Sequence, residues 1–134
     1  MNLLLDARKV FLEQEWKYSY ALTEYILGKA YLRMALGEGK INLSIMLKNL
    51  GFLLKTFPFA ARRAESHLTK AIEVAQEIDA KGTLASAHLD LGNLHKAKGR
   101  SEQARKHMTE AVNLFGQCEA EIFLKQAKET LASL

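Results

Sequence analysis

Proline and cysteine are almost absent from this sequence of 134 residues, which has one of each, Pro58 and Cys118. A single proline leaves almost nothing to forbid long helices. A single cysteine excludes a disulfide within the chain, as is typical of proteins from a reducing compartment. No apolar run approaches the roughly 18 residues needed to cross a bilayer, and the N-terminus lacks the basic leader of a signal peptide. These absences predict a soluble, cytoplasmic protein.

The residues that are present predict one all-α domain over residues 1–134. Hydrophobic residues make up 49% of the chain and charged residues 25%, which is typical of a globular domain. Apolar residues recur at intervals of three and four, as in Leu84, Ala87, Leu91 and Leu94, and no stretch alternates as a strand does.

Clusters of turn-forming residues divide the chain into seven predicted helices with short connections, so that consecutive helices pack antiparallel. The predicted helices are 2–14, 17–36, 42–56, 58–79, 83–98, 101–116 and 120–133. Gly99 suits a left-handed helix end, Ser101 suits an N-cap, and Pro58 suits a first helical turn.

Two short patterns recur along the chain. Leu-Gly followed three residues after the glycine by a bulky residue occurs as Leu27-Gly28…Tyr31, Leu50-Gly51…Leu54 and Leu91-Gly92…His95. A small–large–small pattern occurs as Ala64…Leu68…Ala71 and Ala104…Met108…Ala111. A glycine inside a helix costs about 1 kcal/mol relative to alanine. We therefore expect these glycines where a neighbouring helix comes very close and a large residue fills the groove.

These patterns together resemble tetratricopeptide (TPR) repeats, in which Leu-Gly and an aromatic residue on a first helix precede Ala, a large residue and Ala on a second. The resemblance implies a short right-handed superhelix, an α-solenoid whose first helices line a concave groove. It assigns 83–116 as the best repeat, 17–56 and 58–79 as degenerate repeats, 2–14 as the orphaned second helix of a preceding unit, and 120–133 as a capping helix.

A narrower resemblance is to the C-terminal helical region of bacterial multidomain adenylate/guanylate cyclases that carry an AAA-type ATPase module. The similar segments are Leu47–Leu54 with Pro58-Phe59-Ala60, Ala80-Lys81-Gly82, Leu89–Gly92 with His95–Gly99, and Cys118–Glu121 with Phe123–Lys128. The resemblance implies that the chain is a fragment or a stand-alone relative of a regulatory tail, without the cyclase or the ATPase.

The central third of the chain is basic. From Tyr25 to Arg63 it carries seven basic residues against Glu38 alone, whereas the net charge of the whole chain is +4. In the resembled fold, the register of each Leu-Gly pattern predicts which residues face the groove. They are Tyr25, Lys29, Leu32, Arg33, Lys48, Phe52, Lys55, Leu89, Asn93 and Lys96. Asn93 matches a position at which peptide-binding TPRs hold the ligand backbone, but Leu89 replaces their clamp lysine. We predict a groove for an acidic or C-terminal peptide; ordinary solvated helix faces are the alternative.

No catalytic, cofactor or metal-binding constellation is predicted. His88 and His95 share one helix face, but two ligands do not make a zinc site, and packing explains them together with His67 and His107. Cys118 has no placed base. Gly37–Lys40 lacks the spacing of a phosphate-binding loop. Trp16 is interpreted as stapling a turn, with contact to a partner as the alternative.

The sequence therefore predicts a non-catalytic protein-interaction scaffold whose partner is an acidic protein or peptide, with self-association possible. Binding of RNA by helical repeats is the alternative, since the central third is basic. Against it, the basic residues do not recur at one repeat position.

Overall fold

The computed structural model describes residues 2–37, 50–118 and 121–134. They form the helices α1 (Asn2–Leu36), α2 (Leu50–Glu77), α3 (Lys81–Ala97), α4 (Ser101–Gln117) and α5 (Glu121–Ala132). No strand occurs in these three ranges, so the predicted all-α fold is confirmed. The last three helices match the predicted bounds within two residues.

The first two predicted helices are one continuous helix, α1. It has no break at Glu15-Trp16-Lys17, where the sequence predicted a turn. None of these residues is a glycine or a proline, and the Lys17 ammonium supports the helix by pairing with Glu13 one turn earlier at 3.7 Å. The same ammonium donates to the Glu77 carboxylate of α2 at 2.5 Å. Residues 2–14 are therefore not a separate helix.

The predicted helix start at Pro58 is also wrong, because α2 runs through this residue. A proline inside a helix removes one hydrogen bond and costs about 3 kcal/mol. Burial opposes that cost, since Ala60 and Ala64 on the following turns are fully buried in the core shared with α1. The break predicted between 42–56 and 58–79 is thus absent, and residues 42–49 lie outside the described part of the chain.

The turns after α2 and α3 close in the same way. Gly99 has φ +73° and the Arg100 amide donates to the His95 carbonyl at 2.8 Å, which is a Schellman ending. Asp79 takes the left-handed position after α2 with φ +57°. The prediction for Gly99 is confirmed, but the one for Ser101 is wrong, since Arg100 is the N-cap of α4 and no side chain caps it.

Two of the Leu-Gly glycines lie where helices approach most closely. A Cβ atom added to Gly28 would lie 2.7 Å from Cγ of Leu68, and one added to Gly92 would lie 2.7 Å from Cε of Met108. Both large side chains are fully buried. The predicted filling of a glycine groove is confirmed in the first helix pair (α1 and α2) and in the second helix pair (α3 and α4). Leu50-Gly51, by contrast, lies on the same helix as Leu68.

The two helix pairs share one core. The first pair contributes Leu32, Ala35, Ala60, Ala61, Ala64, Leu68 and Ala71 to a buried cluster. To the same cluster α3 contributes Ala87, Leu91 and Leu94. A second cluster joins α3 and α4 to Ala127 of α5. The helices therefore stack in chain order, with α3 against the first pair and α5 against α4.

Candidate partner-binding surface

Two of the predicted groove residues meet a carboxylate at the boundary between the helix pairs. The Lys29 ammonium donates to the Tyr25 hydroxyl at 3.0 Å and lies 3.8 Å from Oδ2 of Asp90. Tyr25 and Lys29 are one helical turn apart, so both side chains leave α1 on the side that faces α3. The structure thus brings these two predicted residues together, and adds Asp90 to them.

The charge of Lys29 is partly balanced by a carboxylate inside the fold. Asp90 is only 6% exposed, and a carboxylate this buried needs a charged or hydrogen-bonded partner. Burial opposes the charge of Lys29, but the Tyr25 hydroxyl and the Asp90 carboxylate outweigh it, so the pKa of Lys29 is raised. Burial and then the Asp90 charge raise the pKa of Tyr25. Lys29 is therefore a cation that links α1 to α3.

This role of Asp90 was not predicted from the sequence. The available signal was its position between Leu89 and Leu91 as the one acidic residue of α3. An acidic residue on a buried face requires a partner from a neighbouring element. Spacing along the sequence does not say which element supplies it.

Three predicted groove residues remain accessible. Arg33 is exposed on α1, one turn after Lys29, and Asn93 is partly buried on α3, three residues after Asp90. Lys96 is exposed as well, and its ammonium donates to the Ser133 hydroxyl at 2.6 Å.

Leu89 does not line a groove, contrary to the prediction. It is 9% exposed and packs in one cluster with Met108, Phe115 and Ala127. The cause is packing with Met108 and Phe115 of α4, together with Ala127 of α5. Leu32 is 4% exposed in the core of the first pair, so it too is a packing residue.

The remaining predicted positions belong to the segment that starts α2. Lys48 lies outside the described residues. Phe52 and Lys55 lie on α2, and their side chains lie outside the described part of the structure.

Three histidines pack between α3 and α4. Nδ1 of His88 lies 2.9 Å from Nδ1 of His107, and the His95 ring stacks on the His107 ring with centroids 5.4 Å apart. Burial lowers the pKa of all three histidines. At His107 the neighbouring His88 and His95 lower the pKa further, to about 4. The cluster is therefore neutral near pH 7. Within the described ranges, no group of three or more His, Cys, Asp or Glu side chains could hold a metal ion.

The aromatic residue predicted to staple a turn lies in the middle of α1. Trp16 is 70% exposed and stacks on Tyr20 one turn later, with ring centroids 5.9 Å apart. The stapling interpretation is wrong because the turn is absent. Cys118 is exposed. Gly37 ends α1 with φ +68°, and the rest of Gly37–Lys40 lies outside the described residues.

Comparison with protein-family models, with curated proteins and with solved structures gave no match. Among the helices that the structure describes, none is both long and apolar enough to cross a membrane.

Proposed function

We propose that this chain is a non-catalytic protein-interaction scaffold of the TPR type, whose helix pairs stack as a short right-handed superhelix. The observation that carries the proposal is one repeated contact, in which the Leu68 side chain packs on Gly28 and the Met108 side chain packs on Gly92. Two helix pairs built by one packing rule, with α1 beside α3, favour a repeat architecture. Such stacks bind other chains along the surface of their first helices.

The proposed ligand is an acidic peptide segment or a neighbouring acidic domain. The accessible groove residues on the first helices are the cation Arg33, the cation Lys96 and the amide of Asn93. Exposed cations favour carboxylates through attraction and faster encounter, and an amide can bond to a ligand backbone. Lys48 and Lys55 extend the same surface in the proposal.

The resemblance to cyclase tails gives this binding a biological setting. In that setting the chain is the regulatory C-terminal region of a bacterial signalling protein of the adenylate/guanylate cyclase type. Its partner is then a domain of the same protein or a protein that controls it.

The experiment measures binding of fluorescein-labelled acidic peptides, and of composition-matched amide versions, by fluorescence anisotropy. We expect the acidic versions to bind more tightly. The Lys96→Glu variant should weaken that binding about tenfold, because one attraction becomes a repulsion. Lys70→Glu is the matched control, since Lys70 is exposed on α2 and outside the predicted groove. Equal losses in both variants, or none in Lys96→Glu, would reject the groove.

Two further arms sharpen the result. Asn93→Ala tests the amide without changing the charge, and Lys48→Glu with Lys55→Glu tests whether the surface extends to α2. A labelled single-stranded RNA titrated at about 50 and 200 mM salt tests the alternative, since RNA binding falls steeply with salt. Tight, salt-sensitive RNA binding without any binding of acidic peptide would replace the proposed function.

A further inference from the structure

A stripe of accessible residues runs along α1 on the side opposite its packed face. Its members are spaced 4-3-4-3-4 and are Trp16, Tyr20, Thr23, Leu27, Ala30 and Met34. This is the spacing at which side chains of one helix interlock with those of a second. Trp16 is 70% exposed, Leu27 41% and Met34 55%. Together these residues are called the α1 stripe.

The second helix pair shows that the equivalent face of α3 is buried by packing. When Gly28 is aligned with Gly92, four residues of the α1 stripe have counterparts on α3. Tyr20, Thr23, Leu27 and Ala30 correspond to Leu84, Ala87, Leu91 and Leu94. All four counterparts are buried, and the last three pack against the first helix pair. The α1 stripe is therefore a helix-packing face, and none of the described helices covers it.

We propose that a second copy of this chain covers the α1 stripe with its own α1, packed antiparallel about a two-fold axis at the level of Tyr25. In that register each residue of the stripe meets one counterpart. Met34 lies on Trp16 of the second copy, Tyr20 on Ala30, and Leu27 on Thr23. Two of the layers set a large side chain on a small one, and the third sets a thioether on an aromatic ring, which is a favourable contact.

Charge selects the antiparallel direction. Glu15 and Arg33 are 18 residues apart, which is five full turns, so they lie on one edge of the α1 stripe. Both are exposed. In the antiparallel register Arg33 lies within about 3 Å along the axis of Glu15 of the second copy, and symmetry makes two such pairs. In a parallel register this edge would face the other edge of the α1 stripe, so Glu15 and Arg33 would not pair.

The experiment is sedimentation equilibrium on the full chain and on charge-reversed variants. The wild type should form dimers, and Glu15→Arg or Arg33→Glu should each weaken dimerisation about tenfold, because both attractions become repulsions. Mixing the two single variants restores opposite charges at both positions, so the mixture should recover the dimer. The double variant E15R/R33E should recover it as well.

Matched controls separate this interface from a general charge effect. Glu73→Arg and Arg62→Glu make the same charge changes at exposed positions of α2 and should leave dimerisation unchanged. Trp16→Ala should weaken the dimer about tenfold, because it removes the largest exposed side chain of the α1 stripe from both outer layers of the interface. Circular dichroism confirms that each variant keeps its helices.

Two outcomes overturn the proposal. One is a wild type that stays monomeric from micromolar to millimolar concentration, which would assign the α1 stripe to another partner or to another segment of this chain. The other is a mixture that associates no more tightly than its two components. Arg33 also belongs to the proposed groove, but peptide binding is tested at Lys96 and Asn93 on α3, so a failure of dimerisation and a failure of peptide binding are distinguishable.

Discussion

The two helix pairs use one packing rule with two different side chains. In the first pair, a Cβ on Gly28 would meet Cγ, Cδ2 and the backbone nitrogen of Leu68 at 2.7, 2.9 and 3.1 Å. In the second pair, the three nearest atoms to a Cβ on Gly92 would be Cε, Cγ and Sδ of Met108, at 2.7, 2.9 and 3.0 Å, all of them side-chain atoms. Leucine branches close to the backbone, whereas methionine is unbranched and flexible. The first contact is therefore rigid and the second adaptable.

The residues around Leu68 and around Met108 also make the first contact more rigid than the second. Leu68 lies in a cluster dominated by fully buried alanines, which have no side-chain freedom with which to fill a gap. Met108 lies with larger side chains, among them Phe115 and Leu89. One sequence pattern can therefore give a rigid helix contact or an adaptable one, depending on the residue that packs on the glycine.

Truncation of the large residues should give the largest difference. We expect Leu68→Ala to lower the free energy of unfolding by about 3–4 kcal/mol and Met108→Ala by about 2–3 kcal/mol, because the cavity beside rigid alanines collapses less. Urea denaturation followed by circular dichroism measures both. Thr69→Ala, at an exposed position beside Leu68, is the control and should change little. A larger loss in Met108→Ala would contradict the comparison.

Adding one methyl group tests the rigidity directly. Gly28→Ala should lower stability by about 2 kcal/mol, since overpacking outweighs the gain in helix propensity. Gly92→Ala should stay within about 1 kcal/mol of the wild type, because the end of Met108 can move aside. The measurement is again urea denaturation. Gly28→Ala made in the Leu68→Ala background should cost far less than alone; equal costs in both backgrounds would rule out the Leu68 contact as the cause.

Acid should weaken the second pair specifically. The pKa of His107 is lowered to about 4, so the unfolded chain binds more protons below about pH 6.5 and stability falls as the pH drops towards 4. Between pH 7 and pH 5 we expect a loss of about 1 kcal/mol from His107 after allowance for its partial exposure. His107→Phe keeps a ring but cannot titrate, so its stability should depend less on pH in parallel urea titrations. An unchanged pH dependence would exclude His107 as the cause.

The sequence predicted the helix packing better than the helix bounds. Glycine grooves at Gly28 and Gly92 were predictable because only a close approach explains a glycine inside a helix. The breaks at Trp16 and Pro58 were predicted wrongly because local propensity does not include the burial of α1 against α2. A helix-breaking residue can be overruled by packing that spacing alone does not reveal.

The predicted surface shows the same limit. Tyr25 and Lys29 were placed together from the register of one helix, and the structure brings them together. Leu89 was misplaced because it packs with Met108 and Phe115 of α4, and the register of one helix does not show which face its neighbours cover. The 4-3-4-3-4 spacing of the α1 stripe was present in the sequence, but the supposed turn at Trp16 separated its first residue from the other five.

The distance along the chain between the residues of each glycine contact has an entropic consequence. Leu68 follows Gly28 by 40 residues, whereas Met108 follows Gly92 by 16. Closing the longer loop restricts the unfolded chain more, at an additional cost of about 0.8 kcal/mol. The rigid contact of the first pair therefore costs more chain entropy to form, and the dense alanine packing around it offsets that cost.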